Sequence, residues 1–247
     1  MPKDDINYSF TENGIVYDFY DVFVPAENFR QPSLFTWGNG ENGRLGDNTN
    51  TNRLIPVTTF SGGTTWKQVS CGGKRTAAIK TDGSLWTWGF NNHGQLGVND
   101  TTDRSTPVTT FAGGNNWKQV SSGYIHTAAI KTDGSLWVWG NGVRLGTGDT
   151  TTRNTPVTTF AGGTNWKSLS GGSGHTAAIK TDGSLWTWGV NSSGQLGINN
   201  TATIVTAVTT FAGGTNWKSV SGGGGHTAAI KTDGSLWIWG QGTSGQL

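Results

Sequence analysis

The chain has 247 residues, enough for a sizeable core in one or two domains, yet only 13 % are charged, while Gly contributes 40 residues and Trp 13. Gly with abundant Thr, Ser and Asn disfavours long helices and suits short strands joined by tight turns. A net charge of +2, with Lys and Arg spread at regular spacing, is too weak a field for nucleic acid, so no nucleic-acid partner is expected.

The N-terminus, MPKDDINYSF, has no basic segment followed by an apolar run, so no signal peptide is predicted. No stretch approaches the ~18 apolar residues of a membrane span. The expected product is soluble and made in the cytoplasm, leaving a cell only by lysis or a non-standard route. Residues 1–33 form an acidic, aromatic arm with Tyr8, Phe10, Tyr17, Phe19, Tyr20, Phe23 and Phe29. Asn13-Gly14, flanked by strand-like YSFTE and IVYDFYDVFV, predicts a hairpin. The arm is too small for its own core. Two readings stand: it caps the first repeat, or its aromatics dock on a partner.

From residue 34 onward the text repeats. Trp-Gly recurs at Trp37, Trp88, Trp139, Trp188 and Trp239, a period of about 51 residues, which marks a solenoid, propeller or array. TAAIKTDGSLW appears four times, and so does VTTF followed by Ser/Ala-Gly-Gly. In each unit TAAIKT and SLWTW flank Asp-Gly, which predicts a hairpin with a type I′ turn. WKQVS or WKSVS is a third strand, entered through Gly-Gly. PVTTF is a fourth, opened by Pro where no ladder donor is needed. The fold class is therefore all-β, a β-propeller of four-stranded antiparallel blades, with about four blades and a leading half-unit, LFTWGNGENGRLG. Trp86 and Trp88 stand two apart on one strand and share a face. With Trp66 or Trp117 from the strand before, they are expected to fill the space between blades; a glycan-binding Trp platform is the sharper alternative. Cys71, the only cysteine, stands in a small-residue slot and allows neither a disulfide within the chain nor a thiolate metal site.

The ordered motifs GYIHTAAIKTDG, LWTWG and GQLG (Gly94 to Gly97, Gly194 to Gly197) resemble the regulator of chromosome condensation repeat family. The resemblance covers residues 34–247; the Trp-Asp mark of WD repeats is missing. It implies a propeller, usually of about seven blades. The chain stops at Gly245-Gln246-Leu247, inside a GQLG motif. An open arc would expose unpaired edges, so either a longer chain, the favoured expectation, or neighbouring molecules should cover them. The third unit is two residues shorter, NGVRLG. The fourth replaces the Arg/Pro pattern of the others with Ile204 and Ala207.

His126, His175 and His226 recur once per unit, with Arg75 in the first. A ring spacing is too wide for one shared ion, and in the resembled family this His packs blades, so no metal site is expected. The hairpin aspartates Asp82, Asp133, Asp182 and Asp233 are assigned to turns. No nucleophile elbow, phosphate loop or metalloprotease motif is present, so no catalytic residue and no cofactor is expected. Positions invariant between repeats should answer packing and turns; variable ones are free to recognise something. Two variable loops follow from this, one before the His-Thr strand and one after Trp-Gly. Their contact candidates are Lys74, Arg75, Phe90, His93, Tyr124 and Ile125, with loop drift as the plainer reading.

The leading functional expectation is a non-enzymatic structural or adhesive component of a virus particle, a tailed bacteriophage above all. The arm would anchor to other virion proteins in an oligomeric assembly, and the propeller would meet a protein or a host-surface glycan. This rests on a signal-free, disulfide-free chain and on Thr/Gly/Asn-rich repeats that resemble those of phage virion proteins. Two alternatives come from other classes: a nucleotide-exchange factor for a small GTPase, as in the founder of the resembled family, and a secreted propeller that inhibits an enzyme or binds glycan.

Overall fold

The computed structural model describes residues 8–12, 15–19, 33–63 and 65–247. The chain divides into two units, Met1–Pro32 and Ser33–Leu247. In the first, β1 (Tyr8–Glu12) and β2 (Ile15–Phe19) pair antiparallel, with Glu12 opposite Ile15. Tyr20, Phe23 and Phe29 lie outside the described residues. So do the side chains of Tyr8, Phe10, Tyr17 and Phe19, and with them the docking role expected of the arm.

The second unit is built from antiparallel sheets. β3 (Phe35–Gly38) and β4 (Arg53–Thr58) form a two-stranded half-blade. The first complete blade is β5 (Trp66–Cys71), β6 (Arg75–Lys80), β7 (Leu85–Gly89) and β8 (Arg104–Thr109). The second is β9 (Trp117–Ser122), β10 (His126–Lys131), β11 (Leu136–Gly140) and β12 (Arg153–Thr158). The third is β13 (Trp166–Gly171), β14 (His175–Lys180), β15 (Leu185–Gly189) and β16 (Ile204–Thr209). A last sheet holds β17 (Trp217–Gly222), β18 (His226–Lys231) and β19 (Leu236–Gly240). The described residues thus hold three complete blades, a three-stranded last blade and the leading half-blade, in keeping with the about four blades and half-unit that the sequence predicts, but in a shifted phase. Each VTTF strand closes the sheet of the hairpin before it, so a unit of text straddles two blades.

The first strands of successive blades, β5, β9, β13 and β17, lie beside one another and form the inner edge. Their side chains tie neighbours together. Gln68 Nε2 donates to Val120 O at 3.0 Å and its Oε1 accepts from Val120 N at 3.1 Å. Ser70, Ser121 and Ser170 accept from Ser122 N, Gly171 N and Gly222 N of the following blade.

Between blades the indoles do what the sequence predicts. Trp117 stands edge-on to Trp137 and Trp139, at 6.1 Å from each. This triad, with Val120 and Ala129, packs on Ala77, Ile79 and Leu85 of the preceding blade. The arrangement recurs where Trp166 and Trp188 meet Ile130 and Leu136, and where Trp217 and Trp239 meet Ile179 and Leu185. Each blade therefore has an indole face and an Ala-Ile-Leu face, and stacking joins one to the other. In the last sheet Leu236 and Ile238 are exposed, although their counterparts Leu136 and Val138 are buried.

Two local expectations need correcting. The Asp-Gly turn is not type I′: Gly83 has φ +82°, but Asp82 is not in the left-handed region. Gly83 N donates to Lys80 O at 3.0 Å and Lys80 N to Ser84 O at 3.0 Å, a three-residue loop with a left-handed Gly at its end. Asp82 is held otherwise, because its carboxylate accepts from Ser84 N and Oγ at 2.8 and 2.7 Å. Those bonds keep its carboxyl below the usual range. Pro107 and Pro156 lie inside β8 and β12 and do not open them. They are tolerated where the pairing with β7 and β11 shifts register, on the outermost strand.

Gly83 is also a point of close approach, since a Cβ there would stand 2.2 Å from Asn115 O of the next blade. Gly83→Ala is expected to cost more than about 1 kcal/mol, read as a lower denaturant midpoint.

Candidate recognition surface at the axial end

Each second strand runs between two ends of its blade. One end carries the Gly-rich turn before the His-Thr strand; the other carries the Asp-Gly hairpin. At the first end the turns of successive blades surround a shallow bowl of about 260 Å³ over the inner strands, with Gly73, Tyr124, Ser173 and Gly224 on its wall.

The two variable loops of each unit meet here. Phe90 N donates to Lys74 O at 3.0 Å, and the same bond joins Asn141 to Ile125 and Val190 to Gly174. Lys74 Nζ lies 5.5 Å from the centre of the Phe90 ring. Tyr124, half-exposed, lays its ring against Gly73, where a Cβ would stand 2.3 Å from Tyr124 Cδ2. Lys74, Phe90, Tyr124 and Ile125, from two units, thus share one patch. His93 is held on its own loop, where its backbone N–H donates to Gln95 Oε1 at 2.8 Å, and among the described residues no hydrogen bond joins it to that patch.

Arg75 was expected at the surface and is not there. It is 2 % exposed. Its Nε donates to Thr127 Oγ1 at 3.1 Å, its Nη1 to Tyr124 O at 3.0 Å and its Nη2 to His126 O. Burial without a carboxylate partner among the described residues lowers its pKa to about 9. Arg75 fills the slot of the repeat histidine and fixes Tyr124 from below, a positioning role that its loop-like sequence context hid.

The histidines follow the same pattern. His126 Nε2 and Thr176 Oγ1 are 2.9 Å apart, and His175 Nε2 and Thr227 Oγ1 are 2.8 Å apart, each pair crossing to the next blade. Both threonines donate their single proton to a loop carbonyl, Arg144 O or Gln195 O. The histidines must therefore donate from Nε2, which leaves Nδ1 bare and buried in both. Burial, with Arg75, Arg144 and His175 adding to it, holds the His126 pKa well below the ordinary value. Burial with His226 nearby lowers that of His175 to about 4. These are neutral blade locks. Among the described residues no group of three or more His, Cys, Asp or Glu is placed to hold a metal ion.

The loop after Trp-Gly is kept rigid from within. Asn91 accepts from Leu96 N at 2.9 Å and donates to Asp100 O at 2.9 Å. Arg104 pairs with Asp100 at 2.5 Å, Arg153 with Asp149 at 2.8 Å and Arg53 with Asp47 at 2.6 Å. The fourth unit has Asn200 and Ile204 at these places, so both partners change together. That coupled change was visible in the text.

The rule that invariant positions serve packing and turns does not account for one set of large apolar residues. Phe60, Phe111, Phe160 and Phe211 are invariant, yet between 65 % and 75 % exposed. Their position beside Gly-Gly at a strand end was the available signal.

The RCC1-like domain matches residues 30–247. Among curated proteins, the ultraviolet-B receptor UVR8 of Arabidopsis thaliana is 36 % identical over 107 residues, covering 42 % of this chain and 24 % of the receptor. Human E3 ubiquitin-protein ligase HERC2 is 34 % identical over 115 residues, covering 43 % of this chain and 2 % of the ligase. Human WBSCR16 superposes with a TM-score of 0.73 at 23 % identity, covering 87 % of this chain and 58 % of its own. Prp20p of Saccharomyces cerevisiae, described for its binding to Gsp1p and histones, gives 0.72 at 20 % identity, covering 91 % and 60 %. The chain therefore spans a quarter or less of these curated relatives and about three-fifths of these solved structures.

Proposed function

Since the chain belongs to the RCC1-like domain family, we propose that it is a non-enzymatic scaffold that binds another protein through the axial patch of Lys74, Phe90, Tyr124 and Ile125. One observation carries this reading: variable loops far apart in sequence converge on one patch, held from beneath by the blade-crossing bonds of buried Arg75. Tyr and Phe supply rigid contact area, and Lys74 supplies charge. Family members that bind proteins, such as Prp20p with Gsp1p, support the reading.

The test is a comparison of two baits, the wild-type chain and K74A/F90A/Y124A. The variant is expected to lose at least about tenfold in affinity for a protein the wild type retains, with its unfolding midpoint lowered only slightly, because Tyr124 is exposed and Lys74 and Phe90 lie half-buried in loops outside the blade core. Equal binding by both baits would move the interface elsewhere.

The narrower role, a component of a bacteriophage particle anchored by the arm, has its support in the sequence alone: the acidic aromatic arm and the low-charge repeats. Mass spectrometry of purified particles tests it, and consistent absence ends it. The exchange-factor alternative requires accelerated release of labelled GDP from a small GTPase.

A further inference from the structure

The exposed phenylalanines do not stand alone. In the second blade Phe111 begins the turn that leads to Trp117, whose Nε1 donates to Gly113 O at 2.9 Å. Trp117 N donates to Gly83 O of the neighbouring Asp-Gly hairpin at 3.0 Å, which places both turns at one end of the blades. Lys118 follows. Ladder pairing steps from Trp117–Lys131 to Gln119–Ile130, so Lys118 is the extra residue of a bulge and its side chain is exposed. The same step recurs in every other blade. Lys131 extends over Trp137, with Nζ 4.3 Å from the ring centre, and Asp133 closes the hairpin.

Every unit thus presents one exposed Phe, one bulged Lys, one Lys laid on indole and one Asp at the same end. Across four units that makes eight lysines against four aspartates, an excess of four positive charges, in a chain whose net charge is only +2. Phe111 and Phe160 lie between complete blades, so their exposure does not depend on the two open edges of the stack.

From this juxtaposition we propose that the hairpin end is a docking face for an anionic lipid membrane. Charge complementarity chooses an acidic partner and disfavours a second copy of the same basic face. Repetition narrows the choice further: identical Phe-Lys sets around an axis match a laterally uniform surface, with no pocket needed on the partner. Phe enters the acyl boundary while Lys meets headgroup phosphate or carboxylate, as on interfacial amphipathic elements. The face lies opposite the recognition patch, at the other end of the same strands.

Sedimentation with phosphatidylserine–phosphatidylcholine vesicles, against pure phosphatidylcholine, tests this on the full chain. The wild type is expected to pellet with the anionic vesicles only, less so as salt rises. F60S/F111S/F160S/F211S is expected to lose about tenfold or more of the bound fraction. Indole emission of the wild type should be quenched by brominated acyl chains, a readout that needs no variant. K74A/F90A/Y124A should bind vesicles normally, so this idea and the protein-recognition reading fail separately. The proposal is overturned by no preference for anionic vesicles, by binding without quenching, or by a folded phenylalanine variant that binds as the wild type does. Retention on heparin without vesicle binding would assign the face to a soluble polyanion and overturn it equally.

Discussion

Trp117→Ala is expected to destabilise the chain by about 3–5 kcal/mol, among the largest effects open to one side chain here. Trp117 is 1 % exposed and serves two contacts at once. Within its blade it sets the edge-on packing of Trp137 and Trp139; across the gap it covers Ala77, Ile79 and Leu85. Removing it leaves a cavity that rigid sheets cannot close, because inner-strand hydrogen bonds fix their spacing. Trp237 provides the contrast. It is 42 % exposed, and its loss should cost about 1 kcal/mol or less. Urea midpoints of the two variants check the difference.

Acid should begin to destabilise the protein before its carboxylates titrate. In the unfolded chain the histidines take up protons near pH 6.5, whereas folded His175 does so only near 4 and the pKa of folded His126 is likewise held well below its ordinary value by burial. The folded pKa is depressed, so the stabilisation is complete above the unfolded value and is lost as pH falls from about 6.5 toward 4. For His175 alone the loss approaches roughly 3 kcal/mol. His175→Gln keeps an N–H for Thr227 and removes the titration, so its midpoint should vary less across this window. An equal slope in wild type and variant would mean that the histidine is already charged in the fold.

Much of the architecture was legible because repetition exposes what packing demands. Paired Trp two apart, Asp-Gly between alternating strands and Gly-Gly before Trp have few other physical readings. What stayed hidden concerns which side of a strand meets a neighbour. Arg75 looked like a loop cation because its blade-crossing partners, Tyr124 O, His126 O and Thr127, stand about fifty residues away. Phe111 was not singled out, because invariant positions were assigned to packing and turns, although the turn holds its ring outward. The turn type was misjudged because the side chain of Ser84, two residues on, satisfies Asp82 without a left-handed backbone. Convergence of Lys74 with Tyr124 needed the fold itself, since only stacking places Gly73 beneath the Tyr124 ring.

The most direct measurement places a photo-crosslinking amino acid at Tyr124 in one protein and at Thr109, on an outer strand, in another, both irradiated in an extract of the source cells. A recognition surface at the axial end predicts a discrete protein adduct from position 124 and none from position 109. Adducts of equal yield from both positions, or from 109 alone, would contradict it.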